Sequence, residues 1–353
     1  MKVKTDGKEV IREYYGKILS GSGDLKTGAC CSSDESWPAH LRDILEDIDD
    51  EIISRFYGCG SPIPPLLDGC TVLDIGCGTG RDVYIVSRLV GPEGRVIGVD
   101  MTGEQLEVAR KHVNSQTDIL GYEKPNVEFK LGYIEDLAAI GIDDGSVDVV
   151  ISNCVINLSP DKESVFREIF RVLKPGGELY FSDIFSERRV PHELTSDPVL
   201  RGECLAGAMY IEDFRRILLS IGCPDFRIVT NRPVEITDPR ISYQIGMVDF
   251  TSRTIRAFKL HDLEDICEDY GQTATYLGTI PEYPHSFPLD DHHLFITGKA
   301  MLVCGNTASM LLTDRYTSHF KITGDRQTHF GPFECAPAPT KELSSEGKGG
   351  ACC

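Results

Sequence analysis

At 353 residues the chain has room for one large domain, or for a main domain with a smaller partner, and 41% apolar with 26% charged residues is ordinary for a soluble protein that buries a core. A net charge of −19 and the lack of any run of five basic residues argue against nucleic acid, whose binding rests on neutralisation by Lys and Arg. No apolar stretch reaches the roughly 18–20 residues that cross a bilayer, and the polar start Met1-Lys2-Val3-Lys4-Thr5-Asp6 does not read as a secretory signal, so a cytoplasmic protein without a membrane partner is expected.

Residues 4–20 read as a helix, with Ile11, Tyr14, Tyr15 and Ile18 at helical spacing. Residues 38–57 read likewise, with Leu41, Ile44, Leu45 and Ile48 in step, and a turn-rich loop from Gly21 to Ser33 lies between the two. Strands are then expected near 71–75, 95–99, 127–131, 147–152 and 178–182. Helices are expected near 80–89, 103–118 and 161–173, the last ended by Lys174-Pro175-Gly176-Gly177. A helix over 211–221, a strand over 226–230 and a last core strand carrying Ile255, Ala257 and Phe258 follow. Such alternation predicts an α/β fold: a mostly parallel sheet with helices on both faces. From about residue 260 the pattern breaks into short segments with Pro281, Pro284 and Pro288, read as a small appended domain. The expected organisation is N-terminal helices and cysteine loops over 1–70, a core over 71–258, a small C-terminal domain over 259–340, and a disordered tail over 341–353 that ends in Cys352-Cys353.

The most informative stretch is Leu73-Asp74-Ile75-Gly76-Cys77-Gly78-Thr79-Gly80, in which an apolar run enters an acid and three alternating glycines before a helix. Glycines remove each Cβ that would keep a ligand off the backbone. The dinucleotide fingerprint Gly-x-Gly-x-x-Gly fails, because its third glycine falls on Arg81 counted from Gly76 and on Val83 counted from Gly78. Asp-x-Gly-x-Gly-x-Gly instead resembles the first motif of Rossmann-like S-adenosylmethionine-dependent methyltransferases. That resemblance implies glycines that admit the methionine portion and an acid, Asp74, that holds its ammonium. Arg95-Val96-Ile97-Gly98-Val99-Asp100 is a short strand ending in a second acid, where an open parallel sheet grips ribose hydroxyls. A glycine-rich turn alone is more often merely a turn; Asp100 and the rhythm of the strands weigh against that here.

Thirteen cysteines are many for a chain of this kind. No Cys-x-x-Cys pair occurs, so zinc ribbons and fingers have no support and no bound metal cofactor is expected. His292-His293, the only adjacent histidine pair, reads as surface. Ligands of open parallel sheets sit beyond the carboxyl ends of the strands. The fourth strand runs into Ser152-Asn153-Cys154-Val155-Ile156-Asn157-Leu158, which brings Cys154 to the mouth of the crevice. The plainer reading of Cys154 is a compact buried residue at a strand–loop junction. Cys204 follows the fifth strand on the same side, Cys59 lies in the glycine-flanked loop Tyr57-Gly58-Cys59-Gly60-Ser61-Pro62, and Cys30 and Cys31 lie in the N-terminal loop. Four cysteine loci around one cleft, without histidines, point to a soft thiophilic substrate rather than a hard metal. Cys70, Cys77, Cys223, Cys267, Cys304 and Cys335 read as structural.

From about Glu13 to Phe258 the chain closely resembles the arsenite S-adenosylmethionine methyltransferases of eukaryotes. The likeness is carried by Tyr57-Gly58-Cys59-Gly60, the Ser152–Leu158 run, Gly177-Glu178-Leu179-Tyr180-Phe181-Ser182-Asp183 and Gly202-Glu203-Cys204. The resemblance implies that Cys154 and Cys204 bind As(III), with Cys59 as a third thiolate and as redox partner of Cys30, the adjacent Cys31 remaining an alternative. It also implies cofactor contacts at Tyr57, Gly76, Met101, Gln105, Ile134, Glu135, Asn153 and Val155. Arg201 stands where some relatives carry an aromatic residue. The expected substrate is arsenite or its thiol conjugates, with thioredoxin or glutathione as reductant and a monomer as the simplest state. Cys352-Cys353 could deliver the metalloid. The rivals are a carbon or oxygen methyltransferase, against which the lack of a placed His or Lys base weighs, and a metalloid or zinc buffer, against which the glycine turn weighs.

Overall fold

The computed structural model describes residues 37–58, 60–191, 193–194, 197–202, 204–236 and 238–334; the helix expected over 4–20, Cys30, Cys31, Cys59, Cys335 and the tail lie outside the described residues. Strand β1 (Thr71–Ile75) is apolar on both sides and buried on both sides. Val72 turns to one face and Leu73 with Ile75 to the other, each into its own hydrophobic cluster, as the period of two requires. Parallel neighbours flank it: β2 (Arg95–Asp100) on one edge and β4 (Val147–Asn153) on the other, with Asp74 opposite both Gly98 and Ile151. Beyond β2 lies β3 (Val127–Leu131) and beyond β4 lies β5 (Leu173–Ser186), both parallel. Strand β6 (Met209–Tyr210) pairs with the end of β5. Two antiparallel strands, β7 (Arg227–Pro233) and β8 (Phe250–Phe258), complete the order β3-β2-β1-β4-β5-β8-β7. The chain thus builds outward from β1 to β3, then returns to the other side of β1. That reversal sets the carboxyl ends of β1 and β4 side by side, where such sheets open a ligand crevice.

Helices cover both faces. On one, α1 (Ala39–Leu45), α2 (Asp50–Ile53), α3 (Arg81–Val90) and α4 (Gly103–Lys111) pack Leu41, Ile52, Val83, Val86 and Leu106 around Trp37. The continuous helix expected over 38–57 is interrupted, and Asp49 caps the second piece by accepting from the Glu51 N–H at 2.9 Å. The helix expected over 103–118 also divides, giving α4 and α5 (Val113–Leu120) on either side of His112, whose ring is held by Asp49 and Glu51. On the opposite face, after α5, α6 (Lys162–Val172) and, beyond α7 (Pro198–Gly202), α8 (Ile211–Ser220) follow in the chain, with Phe166 and Phe214 packed against Phe181 and Phe185 of β5, while Leu200 of α7 joins Ile184 in a separate cluster. Lys174-Pro175-Gly176-Gly177 does end α6, but the same residues already belong to β5, because the Gly176 N–H donates to the Lys259 carbonyl at 2.8 Å.

After β8 the chain forms three small antiparallel sheets and a separate aromatic core of Tyr276, Phe287, Phe295, Tyr316 and Phe320. This unit is bound to the main sheet by a buried ion cluster. Glu178 on β5 accepts from Arg256 on β8 at 2.8 Å and from Arg315 at 2.6 Å, and Arg315 also donates to the Leu66 carbonyl at 3.0 Å. Among the described residues no helix is long and apolar enough to cross a membrane.

Candidate active site

The turn after β1 is built by glycines at Gly76, Gly78 and Gly80, whose φ values of 79°, 53° and 88° lie in the left-handed region. The Gly76 and Cys77 N–H groups donate to the Val99 carbonyl at 2.7 and 3.0 Å, hooking the turn over the end of β2. Asp100 secures it further, accepting from the Gly78 N–H at 2.9 Å and the Thr102 N–H at 2.8 Å. A Cβ on Gly78 would meet nothing within 4 Å, whereas one on Gly76 would stand 2.3 Å from a Val155 methyl. Gly80 differs from its expected role. It does not border the cleft, and its missing Cβ makes room for the Phe129 ring 2.9 Å away, which lets α3 lie close to the sheet.

Above the turn opens a cleft continuous with solvent. Asp74, Gly76 and Gly78 border it from the first strand and turn, and Asp100, Met101 and Gln105 from the second strand and α4. Ile134 and Glu135 close it beyond β3, Asn153, Cys154 and Val155 beyond β4, and Tyr57 from the N-terminal side. Every residue expected to contact a cofactor is there except Gly80. Four carboxylates, those of Asp74, Asp82, Asp100 and Glu135, face the cleft against one guanidinium, Arg55. Burial, then repulsion from Asp82 and Asp100, hold the Asp74 carboxyl well above its usual range. Burial raises Asp100 too, against the backbone donors that favour its charge. A cleft so loaded with buried acid suits a cationic ligand, which would relieve that repulsion.

Asp82 is a residue the sequence reading missed. Its carboxylate pairs with Arg81 at 2.8 Å and accepts from the Asn153 amide at 3.0 Å, which ties the glycine turn to the β4 loop. An acid in the first turn of a helix looks like ordinary dipole complementation in sequence. Cys77 borders the cleft, but its thiol packs on Gly98 and burial pushes its pKa up, in keeping with a structural role.

Beyond the cleft's inner wall two cysteines meet. Cys154 and Cys204 have φ of 55° and 66°; among the described non-glycine residues only Leu66 shares that region. Both are buried, and the Cys204 thiol donates to the Cys154 carbonyl at 3.1 Å. The ligand atoms of Cys154, Cys204 and Asp183 all lie within 4.8 Å of one another. Asp183, at the end of β5, was not singled out from sequence. It is fully buried, it accepts from the Asn157 and Ile184 N–H groups, and burial pushes its pKa up to about 7. A lysine also stands near, contrary to expectation. Lys162 donates to the carbonyls of Asn157 and Ser159, feels the charges of Asp183 and Cys204, and has its pKa lowered by burial. Cys154 is disulfide-bonded. Cys59 and Cys30 fall outside the described residues.

Five parallel strands with a glycine turn at the reversal point, an acid ending β2 and a cleft above them define a class I, Rossmann-like methyltransferase with an added C-terminal domain. Residues 66–222 match the family described as "Methyltransferase domain", and residues 270–353 match "Arsenite methyltransferase C-terminal domain". The chain belongs to the arsenite methyltransferase family. It is 52% identical over 326 residues to the arsenite methyltransferase of Aquipseudomonas alcaligenes, covering 92% of this chain and 93% of that protein. With the mouse enzyme the identity is 40% over 329 residues, covering 92% and 86%. The crystal structure of an arsenic (III) S-adenosylmethionine methyltransferase from Chlamydomonas reinhardtii superposes with a TM-score of 0.82 at 50% identity, covering 85% of this chain and all of that one.

Proposed function

We propose that the protein transfers the methyl group of S-adenosylmethionine to trivalent arsenic held by cysteine thiolates, giving methylated arsenicals. The convergence of the Cys154 and Cys204 sulfurs at the wall of an acid-lined cleft carries this reading. S-adenosylmethionine supplies an electrophilic methyl on a sulfonium and brings two positive charges, which suits a cleft facing Asp74, Asp82 and Asp100. Asp74 would hold the ammonium and Asp100 the ribose. Gly76 and Gly78 would leave room for the methionine portion, while Tyr57, Met101, Gln105, Ile134, Glu135, Asn153 and Val155 would frame the rest.

Thiols bind a metalloid as thiolates, so protons must leave as arsenic enters. Asp183, titrating near neutrality beside both sulfurs, is placed to take one, and the Lys162 ammonium favours the thiolates it leaves. Arsenic bound by three sulfurs is pyramidal, with its lone pair turned to the open side. Fixing that pair in line with the methyl is worth up to about 7–11 kcal/mol. Cys59 would be the third sulfur. Methylation takes arsenic to the pentavalent state, and oxidation of Cys30 and Cys59 to a disulfide would return two electrons, with thioredoxin or glutathione restoring the thiols. The disulfide at Cys154 would likewise be reduced before arsenic binds, which supports a role for a thiol reductant.

Arsenic speciation after incubation of the reduced protein with arsenite and S-adenosylmethionine tests the proposal. Methylated arsenic is expected, and its loss in Cys154→Ser and in Cys204→Ser with cofactor binding retained. Full activity in the double variant would return both cysteines to the core and move the substrate to an organic molecule.

A further inference from the structure

One carboxylate bordering the cleft has no part in the function proposed above beyond its charge. Asp82, in the first turn of α3, is buried, and both of its oxygens are engaged by protein donors. Oδ1 accepts from the Arg81 Nε and Nη2 at 2.9 and 2.8 Å, and Oδ2 accepts from the Asn153 amide at 3.0 Å. The Arg81 guanidinium lies over the rings of Phe56 and Trp37, so the acid reaches the N-terminal segment that carries Tyr57. The Asn153 Nδ2 also donates to the Gly60 carbonyl at 2.9 Å. Two acceptors on one nitrogen leave the amide a single orientation, its oxygen on the side of Gly58, where a Cβ would stand 2.6 Å from it. An acid that served only the helix dipole could do so from the surface. Burying its charge is costly unless the charge is paired and hydrogen-bonded, as this one is.

We propose that Asp82 is a positioning residue for the methyl donor: through the Asn153 amide it sets the wall of the cleft to which Asn153, Gly58 and Tyr57 belong. The role rests on the S-adenosylmethionine half of the function proposed above and not on the arsenic half. No neutral group of the same shape replaces the carboxylate. An asparagine at position 82 has one acceptor oxygen where the acid has two, so its NH2 must face either Arg81 or the Asn153 amide, and both are donors. Turning the Asn153 amide over to meet that NH2 would set its oxygen against the Gly60 carbonyl. The network therefore has one solution, a carboxylate at 82 with the Asn153 nitrogen between Asp82 and Gly60. The residue after Asn153 is Cys154, whose N–H is fixed on the Ser182 carbonyl at 2.8 Å, and a Cβ on Gly60 would stand 2.6 Å from the Ser182 hydroxyl. The same amide thus holds Gly60 and the end of β4 together.

A double-mutant cycle on S-adenosylhomocysteine affinity, measured by calorimetry on the full reduced chain, tests this. Asp82→Asn and Asn153→Ala should each weaken binding by about tenfold or more, the value of a charge-assisted hydrogen bond. The double variant should bind no more than about threefold worse than Asn153→Ala, because Asp82 acts through that amide. A merely structural acid would lower the urea midpoint and leave the affinity of the folded protein alone. Asp82→Glu, which shifts the carboxylate by one methylene, runs the same cycle if Asp82→Asn does not fold. An unchanged affinity in Asp82→Asn would overturn the proposal. So would losses that multiply in the double variant, which would show that Asp82 acts on the ligand directly. A wild-type chain that binds no S-adenosylhomocysteine would overturn the cofactor reading along with it. Arsenic takes no part in the measurement, so failure here leaves the speciation result standing, and the reverse.

Discussion

Substitution of Gly76 by alanine joins the geometry of the turn to its energetics. The new Cβ would stand 2.3 and 2.4 Å from the two Val155 methyls and 2.6 Å from the Val155 Cβ, inside any tolerable contact. It would also be held at a φ of 79°, which costs a residue with a Cβ about 1–2 kcal/mol. Overpacking of a tight site adds about 1–3 kcal/mol, so Gly76→Ala should destabilise by about 2–5 kcal/mol in all. Val155→Ala removes the two nearest methyls, and in that background the same change should cost about 1–3 kcal/mol. A double-mutant cycle should therefore give about 1–2 kcal/mol of favourable coupling. Gly78→Ala is the control: with φ at 53° and nothing within 4 Å, it should cost only the strain, about 1 kcal/mol. Urea unfolding followed by Trp37 suits the measurement, because it is the chain's only tryptophan, buried with the Arg81 guanidinium 4.7 Å from its ring and so one residue from the turn. Additivity within about 0.5 kcal/mol, or a Gly78→Ala cost equal to that of Gly76→Ala, would refute the reasoning.

Removing the acid from the buried Glu178 cluster leaves Arg256 and Arg315 unpaired, so Glu178→Ala should cost about 3–5 kcal/mol in thermal unfolding; a loss under 1 kcal/mol, a surface-pair value, would contradict it. Asp183 titrates at about 7 folded against about 3.9 unfolded, so its contribution is full below pH ~4 and is lost as pH rises through ~7, by at most about 4 kcal/mol. Asp183→Asn should accordingly shrink the gap in urea midpoint between pH 5 and pH 8, and an unchanged gap would assign the slope to other groups. Asp74→Asn should weaken S-adenosylmethionine binding by about tenfold or more by calorimetry, since it removes a carboxylate facing a cationic ligand. Equal affinity would place the ligand's charges elsewhere.

The sheet was legible because its signals are local. Val72, Leu73 and Ile75 announce a strand buried on both faces, and the glycines after them need no partner in space to be recognised. The length of β5 was less legible, because Pro175 and Gly176 carry turn signals that pairing with Lys259 overrides. Helix breaks at residues 46–49 and at His112 depend on side chains meeting from separate elements, which periodicity cannot register. Within the site, residues at strand ends were found because topology alone brings strand ends together. Asp82, Asp183 and Lys162 were missed because only their burial, and the company they keep, sets them apart from ordinary helix or strand acids and a surface lysine.

Cys154 and Cys204 carry a backbone cost that packing alone does not explain. Each sits at a positive φ, a conformation worth about 1–3 kcal/mol of strain that persists only where the surroundings enforce it. At Cys154 the enforcement is visible: its N–H is fixed on the Ser182 carbonyl at 2.8 Å, at the end of the β4–β5 register. Asp183 follows Ser182 directly, and its carboxylate holds the Asn157 backbone three residues beyond Cys154. One strand end therefore fixes both the strained residue and the loop that leaves it. The strain is intelligible as the cost of holding the Cys154 sulfur across the end of the sheet, at the edge of the cleft.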